Sequence, residues 1–364
     1  MNQDSLLKKT TVLMCIFAAA AIAVICYYSS HKIVVVAESE QGQTINVAQA
    51  DTANAEKDNR LTFSKDSAKT SYMCIPLEDN IRAGDIITEN HYMDDQLWIG
   101  LRGATAAYYK TAQLSGRHSQ VKDAYFMSEG EKLWLKFNLD NIYEYKSIFE
   151  GGKLYIEFVP PHEKYDKIVV IDAAYGRVPG GTADKQQRSG SDVSRDEITL
   201  RIMQDLKAML DDSDIRVYYT RMSAQSSGEE KRVQLANAVK ADMLIRIEVG
   251  EDSDSKVYGT QTVYNSNYFI PGFGSVELAD LLEKNVTASI SGKALGLKAA
   301  SEDDYVVSNA RVPAAAVKIG YISNAQECKL LEHDDYQEKI ADGIYQAITA
   351  AYKEQQNNGG TETE

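Results

Sequence analysis

Between Lys164 and Tyr352 the spacing of apolar residues keeps switching between two periods, and that alternation leaves few folds open. The apolar run at 167–172 (KIVVID) is of the buried-strand type, and 215–220 (IRVYYT), 242–249 (DMLIRIEV) and 314–319 read as further strands. Between them the spacing becomes helical. Ile198, Ile202, Leu206 and Leu210 fall on one face, and residues 229–240 and 276–290 read as further helices. Tyr336, Ile340, Ile344, Ala347, Ile348 and Ala351 make the buried stripe of a last helix, and residues 305–307 read as a short return to strand. The tail from Lys353 (KEQQNNGGTETE) is expected to be disordered. Strands alternating with helices predict an α/β fold, a mostly parallel or mixed sheet flanked by helices.

A chain of 364 residues has room for a second domain. Residues 61–163 predict one that is rich in β-strand. LWLKFNL at 133–139 and KLYIEFV at 153–159 alternate as half-buried strands do, Gly151-Gly152 suits a turn, and Pro160-Pro161 ends the second run. Residues 29–60 are polar for most of their length and read as a flexible linker, of which the 23 or so from Glu38 onward span roughly 25 Å on average.

Residues 11–28 (TVLMCIFAAAAIAVICYY) are uncharged and almost wholly apolar, and as a helix would reach roughly 27 Å, near the hydrocarbon thickness of a bilayer. Lys8 and Lys9 precede this run and Tyr27-Tyr28 close it, as at membrane interfaces. A cleaved signal peptide is the competing reading, but no small-x-small site follows the run, and Met14 and Ile25 before the two cysteines argue against a lipoprotein site. The expectation is a single uncleaved transmembrane anchor after a ten-residue cytoplasmic stub, with the bulk of the chain extracytoplasmic. The net charge of −14 argues against nucleic acid as a partner and against simple adhesion to anionic lipids or wall polymers. Outside the apolar run only Cys74 and Cys328 remain; a disulfide between them and two separate thiols are both open.

Four blocks in the second half of the chain carry a resemblance. They are Ile171-Asp172-Ala173-Ala174-Tyr175-Gly176-Arg177; Thr220-Arg221 with Arg232-Val233-Gln234-Leu235-Ala236-Asn237; Ala241-Asp242-Met243-Leu244-Ile245-Arg246-Ile247-Glu248-Val249; and Pro313 to Asn324 (PAAAVKIGYISN). In order and spacing, residues 167–352 resemble the zinc N-acetylmuramoyl-L-alanine amidases of bacterial cell-wall turnover, the type-3 family, whose corresponding blocks read IDPGHGG, TR with RxxxAN, ADLFISIHAN and PAVLVELGFISN. A small β domain ahead of such a unit resembles the AMIN-type modules that target these enzymes to envelope glycan; a β spacer without specificity is the equal alternative.

The departures fall on the chemistry. Where the resemblance implies metal ligands this sequence has Tyr175, Arg195 and Glu248, and where it implies the catalytic glutamate it has Lys318. Arg195 is assigned by keeping Leu200 in register; Asp196 and Glu197 adjoin it. Zinc hydrolysis of an amide needs three protein ligands, an open position for water, and a carboxylate to move the proton. A set of arginine, lysine, glutamate and tyrosine is already cationic without a metal, so no zinc is expected. The five histidines, His31, His91, His118, His162 and His333, offer no substitute set. Charge balance predicts instead that Glu248 pairs with Lys318, Arg195 or both. The glycine-rich turn 176–181 lacks a phosphate-loop pattern and reads as a plain surface loop.

These observations predict a membrane-anchored cell-wall pseudoenzyme that binds peptidoglycan or a muropeptide, or that regulates wall turnover by docking on an active amidase or another envelope protein. Hydrolysis of the bond between N-acetylmuramic acid and L-alanine is the alternative.

Overall fold

The computed structural model describes residues 59–64, 71–177 and 194–359. The first part is mostly β, as its alternating residues predict, with short helical turns at Ala83–Asp85, Tyr92–Asp94, Ala106–Tyr109 and Pro161–Lys164. Its strands are β1 (Thr62–Phe63), β2 (Met73–Pro76), β3 (Ile86–His91), β4 (Gln96–Arg102), β5 (Gln113–Gly116), β6 (Val121–Glu129), β7 (Lys132–Leu139), β8 (Glu144–Glu150) and β9 (Lys153–Val159). They form two sheets, in the orders β1-β5-β2-β9-β8 and β3-β4-β7-β6. Inward residues of both, among them Ile75, Ile99, Leu114, Phe126, Leu135 and Ile156, share one core.

The second part is an α/β unit of β10 (Ile168–Ala173), α1 (Arg195–Leu210), β11 (Arg216–Tyr219), α2 (Glu229–Ala238), β12 (Met243–Gly250), β13 (Thr260–Tyr264), α3 (Ser275–Ile290), β14 (Ala294–Ala299), β15 (Ala314–Tyr321), α4 (Ala325–Leu331) and α5 (Asp334–Gly359). Among the described residues its sheet runs β11-β10-β12-β15-β13-β14. The first four strands are mutually parallel; β13 lies antiparallel to β15 and carries β14 parallel to itself. Strand β10 is buried at all six positions because both of its faces are covered. Ile171, Ile245 and Val317 face α1, α3 and α5, whereas Val170, Leu244 and Ala316 face α2 and the β unit. Met93 and Ile142 of the β unit belong to that second core.

Two expectations are corrected. Residues 305–307 are not strand: Tyr305–Ser308 is one helical turn, started where the Asp304 carboxylate accepts from Ser301 N and Ser301 Oγ. Helix α5 does not stop at Lys353 but continues to Gly359, through lysine, glutamate and glutamine, which favour helix without needing to be buried. Strands β13 and β14 were not anticipated. Cys74 and Cys328 are free thiols. The expected anchor at 11–28, its flanking stub, most of the linker, and the loop beyond Arg177 lie outside the described residues. Among the described residues no helix is long and apolar enough to cross a membrane.

Candidate functional site

The parallel strands β10, β12 and β15 end together, and a parallel sheet presents its chemistry at the carboxyl ends of its strands. In register there, Asp172 pairs with Arg246 and Glu248 with Lys318. All four lie on the α2 face of the sheet, because side chains two apart on a strand share a face.

Asp172 is fully buried and held from two sides. Arg232 Nη1 donates to its Oδ1 at 2.5 Å, as does Thr220 Oγ1 at 2.5 Å, and Arg246 Nη1 binds its Oδ2. Burial works against the Asp172 charge, but Arg232, Arg246 and Thr220 outweigh it and hold the carboxyl down at about 2. Arg246 donates further, from Nε to Glu248 Oε1 at 2.5 Å and from Nη2 to Glu229 Oε1 at 3.2 Å. Burial opposes its charge too, yet Asp172 and Glu248 raise its pKa above the usual guanidinium value. Arg246 thus sits among three carboxylates.

A second guanidinium shapes the turn after β10. Arg221, wholly buried, donates to the carbonyls of Ala173, Ala174, Ser223 and Asp196 and to Thr199 Oγ1, which ties the end of β10 to the start of α1. Burial, with Arg232 nearby, lowers its pKa to about 10. Arg232 also reaches Tyr175 O at 2.5 Å, and Asn237 Oδ1 accepts from Arg311 N. The Thr220-Arg221 and Arg232/Asn237 blocks are therefore structural ties around the strand ends.

Tyr175 follows in the left-handed region at φ 72°, ahead of Gly176 at φ 94°, where a Cβ would approach Ser226 Cβ to 2.7 Å. The Tyr175 hydroxyl donates to Val249 O at 2.7 Å, and the Arg195 guanidinium lies 5.1 Å from its ring centroid. Burial raises the phenol pKa and Glu248 adds to the rise, against Arg195 and Arg246. Tyr175, Arg195 and Glu248 are accordingly neighbours, and register brings Lys318 beside Glu248.

The expected pairing is corrected. Glu248 is bound by Arg246, its neighbour two residues back on β12, and Arg195 pairs with Glu251 at 3.0 Å. Neither Arg195 nor Lys318 forms an ion pair with Glu248. The i, i+2 spacing of Arg246 and Glu248 on a buried strand was the available signal, since it puts opposite charges side by side on one face. Glu197, the carboxylate a shifted register would bring in, is committed to the α1 cap, accepting from Ser194 N and Oγ at 3.1 Å.

The positions the resemblance gives to metal and proton transfer do not fit zinc. A guanidinium and an ammonium have no lone pair to offer, the phenol is engaged with a carbonyl and disfavoured as phenolate, and the Glu248 carboxylate is already bound. Among the described residues no three histidine, cysteine, aspartate or glutamate side chains are placed to hold an ion. A cavity of about 510 Å³ lies elsewhere, beside edge strand β11, lined by Tyr165, Lys207, Arg216 and Tyr219 among others.

The similarity to known proteins covers about half of the chain. YqiI of Bacillus subtilis is 27% identical over 51% of this chain and 85% of its own length. The N-acetylmuramoyl-L-alanine amidase LytC of the same organism is 23% identical over 51% of this chain but only 35% of its own length. The catalytic domain of CwlV, an N-acetylmuramoyl-L-alanine amidase from Bacillus (Paenibacillus) polymyxa var. colistinus, superposes with a TM-score of 0.45 at 24% identity, covering 51% of this chain and 98% of that one. Residues 169–350, half of the chain, match the type-3 N-acetylmuramoyl-L-alanine amidase family, to which this chain therefore belongs.

Proposed function

We propose that this chain is a non-hydrolytic member of the amidase family. It acts at the cell wall by binding peptidoglycan or a muropeptide, or by regulating wall turnover through an active amidase or another envelope protein. The observation that carries this reading is Arg246 lodged among Asp172, Glu229 and Glu248. A dication beside Glu248 would have to displace that guanidinium or share its surroundings, and like charges at such range repel by several kcal/mol even in a screened site. Residues 11–28 serve in this reading as the membrane anchor, with the described units outside the cytoplasm. The β unit is then the wall-facing module or the spacer between membrane and wall.

Family membership favours a second reading, hydrolysis of the N-acetylmuramoyl-L-alanine bond, and so do the retained Thr220, Arg221, Arg232 and Asn237. The two separate in one preparation of the full chain in detergent. Zinc content is measured by elemental mass spectrometry, peptide release from muropeptides by chromatography, and wall binding by co-sedimentation with purified sacculi. Sedimentation with substoichiometric zinc and no released peptide is the expected result. Stoichiometric zinc with release of L-alanine peptides would establish the enzyme and end the first reading.

A further inference from the structure

Two cationic groups at the strand ends are not neutralised in the way the rest of the site is. Every guanidinium in the buried network has its acceptors, whereas no carboxylate oxygen among the described residues lies within 4.0 Å of Lys318 Nζ. Lys318 is half-buried near the end of β15, between Glu248 on one neighbouring strand and Gln261 on the other. The Glu248 carboxylate, the natural partner by register, is instead drawn to Arg246 at 2.5 Å.

Arg195 shows the same deficit in another form. Its Nη1 reaches Glu251, a half-exposed surface carboxylate, while its Nε is buried without any acceptor. A buried donor left unpaired is destabilising, more so when it belongs to a charged group, and such an orphan calls for a partner that the described residues do not supply. Tyr175 fixes the Arg195 guanidinium from one side through its ring, and Tyr175 is itself fixed by its bond to Val249 O. The geometry is that of a pre-oriented cation with spare donors.

We infer that Arg195 and Lys318 together form a carboxylate-binding site at the carboxyl ends of β10, β12 and β15, one that takes an acidic peptide group of the wall ligand. The inference rests on the wall-ligand reading above and gives it a chemistry of recognition. Arg195 supplies the planar fork that suits a carboxylate, and Lys318 adds a point charge from β15. Glu248, neutralised by Arg246, does not repel the incoming anion as a free carboxylate would. The same two residues that do not fit a metal thus suit an anion.

The test uses the full chain and two probes, N-acetylmuramoyl-L-alanyl-D-glutamate and its diamide, with binding followed by calorimetry. The acid is expected to bind at least about tenfold more tightly than the diamide, a difference of one charge-assisted contact. Lys318→Gln and Arg195→Gln should abolish that preference, Lys318→Arg should keep most of it, and unchanged circular dichroism and melting show that each variant is folded. Equal binding of acid and diamide overturns the site while leaving the wall-ligand reading in place. Sacculus binding without binding of either probe also overturns it, since the recognised group is then not a peptide carboxylate. Loss of probe and sacculus binding alike removes the wall-ligand reading and this inference with it.

Discussion

At the scale of single residues, the site is governed by how charge is distributed among buried groups. Arg246 compensates Asp172 and Glu248 at once, so its removal leaves Glu248 without its ion pair and the buried Asp172 with Arg232 alone. Arg246→Ala should destabilise the protein by about 3–5 kcal/mol, the usual cost of breaking a buried pair from one side. Urea unfolding followed by circular dichroism measures it, and a loss below about 1 kcal/mol would mean that water already reaches the network. Asp172 adds a pH dependence whose sign is fixed by its partners. Its folded pKa, about 2, lies below the ordinary 3.8, so its contribution is complete above pH 4 and is lost as pH falls through that interval. The amount is about 2 kcal/mol. Stability measured against pH should therefore fall more steeply between 4 and 2 in the native chain than in Asp172→Asn, which has no proton to take up there.

At the scale of elements, packing of α5 against α3 depends on one missing side chain. A Cβ on Gly343 would lie 2.7 Å from Val286 Cα, 3.0 Å from Asn285 O and 2.6 Å from Ser289 Oγ, two of them backbone atoms that cannot turn aside. Gly343→Ala gains up to about 1 kcal/mol of helix propensity and loses about 1–3 kcal/mol to overpacking, so a net lower melting temperature is expected. A higher one would show that the helices separate at little cost. The sequence could not reveal this contact, because a glycine inside a helical stripe looks like a weak point until its neighbour is in place. Strands β10, β12 and β15 were legible because both of their faces are buried and their residues are apolar apart from the few charged ones among them. Strand β14 was not, since ALGLKA at the sheet edge has no buried residue and carries neither pattern. Val306 and Val307 suggested strand, but the Asp304 turn before them decides in favour of helix. The site was legible by position more than by contact. Arg195 lies over the Tyr175 ring and Lys318 stands opposite Glu248 in register, while the partner of Glu248 lay two residues away in Arg246.

At the scale of the whole molecule, the β unit is fastened to the α/β unit along edge strand β11 by polar groups with little exposure. Glu144 of β8, fully buried, accepts from Arg216 Nε at 3.0 Å and Tyr218 Oη at 2.6 Å, with Lys164 Nζ 3.5 Å away. Tyr92 spans the edge of β11, its hydroxyl accepting from Tyr219 N and donating to Tyr219 O, both at 3.0 Å. Met93 and Ile142 continue the contact into the core under α2. An interface built in this way couples the two units thermally as well as spatially, because the buried Arg216 has its charge partner on the other unit. Glu144→Ala removes that partner and should cost about 3–5 kcal/mol. The loss falls on the junction and leaves each unit's own core intact, so calorimetry should resolve two transitions where the unaltered chain shows one. Tyr92→Phe is the milder control: it uncovers the Tyr219 amide, whose hydrogen exchange should quicken, while the single transition is kept. If Glu144→Ala still melts in one unshifted transition, the two units are held by Met93, Ile142 and their apolar neighbours alone, and the buried carboxylate is incidental to their union.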